Sequence, residues 1–202
     1  MKIGVLALQG DFIEHEQMLQ QLGIQVVEVR LPEDLNGLDS IIMPGGESTT
    51  FAKLAVRFGL MEPLRQFANQ GKAVWGTCAG LIFLSKDIGR DQPTLELMDV
   101  KVQRNAFGRQ IDSFTTDLNI KGIDGPPYPG VFIRAPIIES VGSNVNVLCS
   151  LDDGTIVAAQ QDNLLATSFH PELTHDTRIH VFFIAMTNVC NKRVAHSLTP
   201  AE

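Results

Sequence analysis

Ala73-Val74-Trp75-Gly76-Thr77-Cys78-Ala79-Gly80-Leu81-Ile82-Phe83-Leu84 is the stretch on which the fold reading turns. A short apolar run leads into a glycine-flanked corner, and a second apolar run leaves it. That order reads as strand, sharp turn and helix, with a cysteine at the corner. Gly-x-Cys-x-Gly is the thiol form of a nucleophile elbow, where small neighbours allow a tight turn and expose the central side chain. A cysteine there also sits at a helix N-terminus, where unpaired N–H groups and the helix dipole favour a thiolate. A thiolate so placed suits attack on an electrophilic carbon. The plainer reading is a buried structural cysteine between two glycines needed for packing, and the pentapeptide alone does not exclude it.

Ninety-two residues further on, Ser168-Phe169-His170-Pro171-Glu172 closes a strand-like run. A cysteine nucleophile needs a base to take and return a proton, and the base needs an orienting partner. Residues two apart in an extended chain face the same way. Pro171 pushes His170 toward such a conformation. Glu172 is therefore placed to hold the His170 imidazole. Taken alone, His170 reads as a surface histidine beside a turn proline; paired with the elbow, Cys78, His170 and Glu172 read as a catalytic triad.

Working outward, the first half alternates strands and helices. Strands are predicted at Ile3–Leu8, Gln25–Val29, Ser40–Met43 and Ala73–Trp75, and helices at Glu14–Leu22, Phe51–Phe58 and Pro63–Asn69. Gly23 and Gly71 stand where helix-ending glycines belong. Such alternation implies right-handed β-α-β units and a parallel sheet. The second half holds short runs separated by turn residues: Val100–Gln103, Ser113–Leu118, Gly130–Ile133, Val145–Leu148, Thr155–Ala159 and Leu164–Ser168. Asp152-Asp153-Gly154 is a hairpin signal. These runs are expected to add antiparallel strands to one sheet edge. A final helix is predicted over Thr177–Asn191, with Ile179, Phe182, Phe183, Met186, Val189 and Cys190 as its buried stripe. The fold class is α/β: one flavodoxin-like, three-layer domain over residues 1–194, with a mostly parallel sheet, antiparallel additions in the second half, and a flexible tail at 195–202.

Ligands of open parallel sheets bind at the carboxyl ends of the strands. Gln9-Gly10-Asp11, Pro44–Ser48 and the Cys78 elbow all fall on that edge. Gly45-Gly46 offers backbone N–H groups without side-chain obstruction. The N–H groups of Gly46 and Ala79 would form an oxyanion hole, although Gly45-Gly46 taken alone is equally a plain tight turn. The loop lacks the lysine-serine ending of a phosphate-binding P-loop. His170, His175 and His180 invite a metal reading, but a five-residue helical spacing turns His175 and His180 away from a shared face. No metal and no cofactor is expected.

With 202 residues, the chain suits one domain with a sizeable core. A net charge of −7 argues against non-specific binding to nucleic acid or anionic membrane. The three cysteines, Cys78, Cys149 and Cys190, form neither a disulfide framework nor a zinc pattern. No run has membrane-spanning length. A cytoplasmic protein is expected.

On these residues the chain resembles a class I glutamine amidotransferase domain. More closely, it is similar to the family of glutaminase subunits of pyridoxal 5′-phosphate synthase. Leu8-Gln9-Gly10-Asp11, Pro44–Thr50, Trp75–Gly80, Arg104-Asn105-Ala106-Phe107-Gly108-Arg109-Gln110, Gly130–Pro136 and His170–Thr174 carry the resemblance, which runs from about Lys2 to Asn191. It implies that Cys78, His170 and Glu172 are the triad, and that Gly46, Glu47, Ser48, Arg104, Ile133 and Arg134 contact L-glutamine. It also implies a partner, a barrel-shaped synthase subunit that receives the ammonia. The chemistry is consistent: the carboxylate of glutamine wants a cation, Arg104 or Arg134, and its ammonium would meet Glu47. Either arginine is equally at home as a solvated surface charge. Two other classes share parts of the pattern. Flavodoxin-like cysteine hydrolases typically lack the late His-Pro-Glu, and a non-catalytic relative need not retain the set Cys78, His170 and Glu172.

Overall fold

A computed structural model describes residues 1–104 and 113–197. Asn105–Gln110 of the quoted arginine-rich motif, and residues 198–202 of the expected tail, lie outside the described residues. The first half runs β1 (Lys2–Leu6), α1 (Phe12–Gln21), β2 (Gln25–Val29), β3 (Ser40–Met43), α2 (Ser48–Arg57), α3 (Met61–Asn69), β4 (Ala73–Thr77) and α4 (Ala79–Leu84). The second half runs β5 (Ser85–Asp87), β6 (Met98–Gln103), β7 (Ser113–Leu118), β8 (Tyr128–Ile133), β9 (Ile137–Val141), β10 (Asn146–Ser150), β11 (Ile156–Gln161), β12 (Leu164–Thr167) and α5 (Arg178–Ser197). Single 3₁₀ turns lie at Pro32–Leu35 and Pro171–Leu173.

The main sheet has the order β2-β1-β3-β4-β12-β11-β9-β6-β5, with β10 beside β11. The first five strands in that order are parallel. This is the flavodoxin-like order, with β12 in the fifth place. Its inner strands β1, β3, β4 and β12 are buried on both faces, as a parallel sheet covered by helices requires. Leu6, Ile41, Met43, Val74 and Ala166 face α2, α3 and α4. Ile3, Val5, Ile42, Trp75 and Leu165 face the other way, toward α1 and α5. Three layers result, as expected.

The second half departs from the sequence reading in three ways. The strand Leu164–Thr167 is not an edge addition; it enters the sheet interior, parallel to β4 and antiparallel to β11. Ser113–Leu118 and Tyr128–Ile133 pair only with each other, as a two-stranded sheet. Two strands were not anticipated, β5 and β9. Their solvent-facing residues, Lys86 and Asp87 in one and Glu139 and Ser140 in the other, break the alternation that marks a strand.

The last helix also extends past its predicted end, through Ser197, so Ala195 and His196 are helical. Its buried stripe is Ile179, His180, Phe183, Met186, Thr187 and Cys190. Val189 is 49% exposed and is corrected out of the core. The stripe centres on the side that carries two polar residues, and hydrophobicity alone pulled the prediction toward Val189.

Candidate active site

The elbow is strained as its sequence implies. Cys78 ends β4 with φ 46° and ψ −100°, an unusual region for a residue with a side chain. A Cβ on Gly80 would collide with the backbone carbonyl of Met43, and one on Gly76 with the carbonyl of Gly80. Only glycine lets α4 pack this close to β3 and β4. The Cys78 N–H donates to Thr167 O at 2.8 Å, which ties the elbow to the end of β12.

His170 follows three residues after that strand end, so the parallel pairing of Thr77 with Thr167 brings nucleophile and imidazole to one sheet edge. The His170 N–H donates to Val131 O at 2.8 Å, and buried Phe169 packs on Phe132. The β7–β8 pair thus seats the histidine while delivering Ile133 and Arg134 to the same edge.

His170 is 4% exposed. Its Nδ1 lies 2.7 Å from Glu172 Oε1 and 3.3 Å from Asp11 Oδ2. Burial alone would lower its pKa. Hydrogen bonding to Asp11, Cys78 and Glu172 outweighs burial and pushes it up to about 12. Burial likewise works against the Glu172 carboxylate, but the neighbouring His15 and the hydrogen bond from His170 hold it well below the usual range. Asp11, His170 and Glu172 bring donor atoms within 4.8 Å of one another, a spacing that could also hold a cation. Here His170 Nδ1 lies between the two carboxylates, so its N–H serves both.

A cavity of about 400 Å³ opens in front of Cys78 and His170. Gly46, Glu47, Ser48, Arg104, Ile133 and Arg134 all line it, with Asp11, Ile82 and Leu173 completing the wall. Glu172 and Ala79 are not in the wall. Glu172 lies behind the imidazole, and Ala79 begins α4. Arg134 has φ 42°, so a second strained residue borders the cavity. A groove of about 450 Å³ along α5 holds none of these groups.

Glu47 has a structural task that the sequence reading did not assign. Its carboxylate caps α2, accepting from Thr49 N at 3.1 Å and from Thr50 N at 2.7 Å. Slight burial opposes its ionisation, but hydrogen bonds from Thr50 and Thr49 hold its pKa at about 2. Arg104 Nη2 stands 3.5 Å from Glu47 Oε1, while Nη1 donates to Gln92 Oε1 at 3.1 Å. Gln92 in turn donates to Ser48 O. The Gly45-Gly46 loop is bound to the first loop: Asp11 N donates to Gly45 O, and Glu47 N to Gln9 Oε1. A Cβ on Gly45 would strike the His170 ring, so glycine is required there by close approach.

Sequence reasoning missed Asp11 as a partner of His170, Gln92 behind Arg104, and a buried group behind Glu172. In that group His15 Nε2 lies 3.2 Å from Glu172 Oε2 and 3.3 Å from Thr77 Oγ1, and His15 Nδ1 is 3.1 Å from His180 Nε2. Trp75 contacts both rings edge-on and donates from Nε1 to Thr167 Oγ1 at 3.1 Å. Burial, reinforced by the neighbouring His15, pushes His180 down to about 3. The available signal was a histidine on the apolar face of α1, with Met18 and Leu19.

A model of the SNO glutamine amidotransferase family matches residues 5–189. The chain belongs to this family. A relative from Herpetosiphon aurantiacus, named pyridoxal 5′-phosphate synthase subunit PdxT, is 56% identical over 190 residues, 92% of this chain and 100% of its own. A protein of the same name from Dehalococcoides mccartyi is 56% identical over 189 residues, 92% of this chain and 97% of its own. A crystal structure of a glutamine amidotransferase superposes with a TM-score of 0.88 at 47% identity, covering 92% of this chain and 98% of that one. Among the described residues, no helix is long and apolar enough to cross a membrane.

Proposed function

We propose that this chain hydrolyses L-glutamine to L-glutamate and ammonia in the cytoplasm, through Cys78, His170 and Glu172 and a thioester intermediate. The ammonia passes to a synthase subunit that makes pyridoxal 5′-phosphate. The observation that carries the reading is the placement of Cys78 and His170 at the ends of adjacent parallel strands, with Glu172 Oε1 2.7 Å from His170 Nδ1.

In this mechanism the Cys78 thiolate attacks the side-chain amide carbon, and the N–H groups of Gly46 and Ala79 hold the oxyanion. Protonated His170 gives its proton to the leaving nitrogen, which departs as ammonia and leaves a glutamyl thioester on Cys78. Neutral His170 then takes a proton from water, the resulting hydroxide attacks the thioester, and glutamate and thiolate are released. Glu172 keeps the imidazole aimed and stabilises its cation. Arg104 and Arg134 are the cations in the wall for the substrate carboxylate, and Glu47 is the anion for its ammonium. Glu47 does this while capping α2, which fixes its carboxylate before substrate arrives.

The test uses a glutamine analogue with an electrophile at the side-chain carbon, alongside assays of ammonia release by wild type and Cys78→Ala. The expected result is labelling of Cys78 alone and loss of hydrolysis on substitution. Labelling of Cys149 or Cys190 with Cys78 untouched would overturn the assignment.

A further inference from the structure

We propose that His15 is a positioning residue for the triad, holding Glu172 through an Nε2–H shared with Thr77. The inference rests on the catalytic reading of Cys78, His170 and Glu172. Its starting point is a buried carboxylate with two distinct ends. Glu172 is 5% exposed, and its Oε1 is taken by His170. Its other oxygen, Oε2, completes no hydrogen bond among the described residues; His15 Nε2 stands 3.2 Å away and is within hydrogen-bond reach of Thr77 Oγ1. A buried carboxylate oxygen left without a donor is costly. It would also leave the carboxylate free to rotate about its last bond and lose its aim at His170.

Two separate observations place the His15 proton on Nε2. First, a bare Nε2 would turn its lone pair on the lone pairs of Glu172 Oε2, with both atoms buried. An N–H there converts repulsion into a charge-assisted hydrogen bond. Second, His180 Nδ1 is buried and has no hydrogen-bond partner among the described residues. An orphaned lone pair is tolerated more readily than an orphaned N–H, so the His180 proton belongs on Nε2. That N–H then points at His15 Nδ1, 3.1 Å away. His15 Nδ1 accepts, and the His15 proton is left on Nε2. The chain of donors therefore runs His180 to His15 to Glu172, and the carboxylate accepts from His15 on one oxygen and His170 on the other. Trp75 fixes the two rings from the side, and Thr77, the residue before Cys78, is the second acceptor for His15. The network thus joins the back of the triad to the base of the elbow.

Nitrogen-15 NMR of histidine-labelled wild-type protein reads the tautomers directly. The expected spectrum has His15 and His180 protonated on Nε2, with His180 Nδ1 bare. A bare His15 Nε2 overturns the proposal, whatever any variant does. The second arm compares His15→Leu with His15→Gln, using inactivation by a chloroketone analogue of glutamine. Gln carries an N–H at the ε position and Leu does not. His15 does not line the cavity, so the half-saturating concentration of the reagent should hold in both variants. The maximal inactivation rate should fall about 10- to 100-fold in His15→Leu, the scale of one lost hydrogen bond to a charged group. His15→Gln should stay within about threefold of wild type on the same scale. The downfield proton of His170 Nδ1 should shift in the Leu variant only. If wild type is labelled at Cys78 and His15→Leu matches its rate, the positioning role is wrong and the triad stands. If wild type is not labelled at Cys78 at all, the catalytic reading itself falls.

Discussion

Replacing Gly80 by alanine sets two physical effects against each other at the elbow. Gly80 is the second residue of α4 and is buried. In helix propensity alone, alanine is favoured over glycine by about 1 kcal/mol. The new Cβ, however, would fall well inside contact with the carbonyl of Met43, and that atom cannot swing aside. It belongs to β3, which is paired in parallel to β1 on one side and to β4 on the other. Relief requires α4 to move away from the sheet, opening the layer that holds Leu81, Phe83 and Leu84. Overpacking costs about 1–3 kcal/mol, and a backbone carbonyl that cannot yield puts this site at about 3, leaving a net loss of roughly 2 kcal/mol. For a domain of this length that lowers Tm by about 4–8 °C. The control is Gly59→Ala, where φ is +70° and nothing lies within 4 Å of the added carbon. There the cost is the left-handed backbone alone, about 1 kcal/mol. Thermal melts and urea titrations give the stabilities, and Cys78 alkylation shows whether the elbow has moved. An unchanged or raised Tm for Gly80→Ala would mean that propensity wins and that close packing does not dictate this glycine.

Three further outcomes are expected. Glu172→Gln should damage glutamine hydrolysis less than His170→Asn, each by orders of magnitude, because removing an orienting carboxylate costs less than removing the base; steady-state ammonia release ranks them, and equal activity of wild type and His170→Asn would assign the base elsewhere. The pKa of His180 is depressed to about 3 in the folded chain, so the unfolded state alone takes up that proton as pH falls below about 6.5. Wild type should therefore lose about 1.4 kcal/mol per pH unit relative to His180→Gln between pH 6 and 4.5, read by urea titration, and parallel curves would contradict it. Ammonia production at saturating glutamine should rise when the synthase subunit is added, because a glutaminase running uncoupled from an ammonia consumer would waste glutamine; a rate unaffected by the partner would remove the coupling.

Much of this was legible in the chain. Three strands, Gln25–Val29, Ser40–Met43 and Ser113–Leu118, fall on the residues that their apolar or β-branched runs mark out. The alternation of elements pointed to the parallel half, because β1, β3 and β4 are buried on both faces and read as continuous apolar runs. The cavity wall was legible through short motifs, since glycine where a Cβ would strike a neighbour leaves a trace in sequence. What was not legible depends on contacts between distant segments. Nothing in Leu164–Thr167 says that it will sit beside Ala73–Thr77, because pairing partners leave no local mark. His15 and His180 each look like an isolated polar residue on an apolar helix face, and they acquire meaning only when α1 and α5 pack on the same side of Trp75. Asp11 was visible in its loop, but its approach to His170 depends on how Gly45 O binds the loop that carries it.

The pairing of Thr77 with Thr167 makes the distance between sulfur and imidazole a matter of sheet spacing. Eight described elements lie between β4 and β12 along the chain, yet none of their lengths enters that distance. If the polypeptide were severed in the exposed turn Asp152-Asp153-Gly154, one fragment would own Cys78 and the other His170 and Glu172. Neither could hydrolyse glutamine, and turnover would return only as β12 docks against β4. The protein could thus be recast as a complementation sensor, with ammonia as the readout of two peptides meeting.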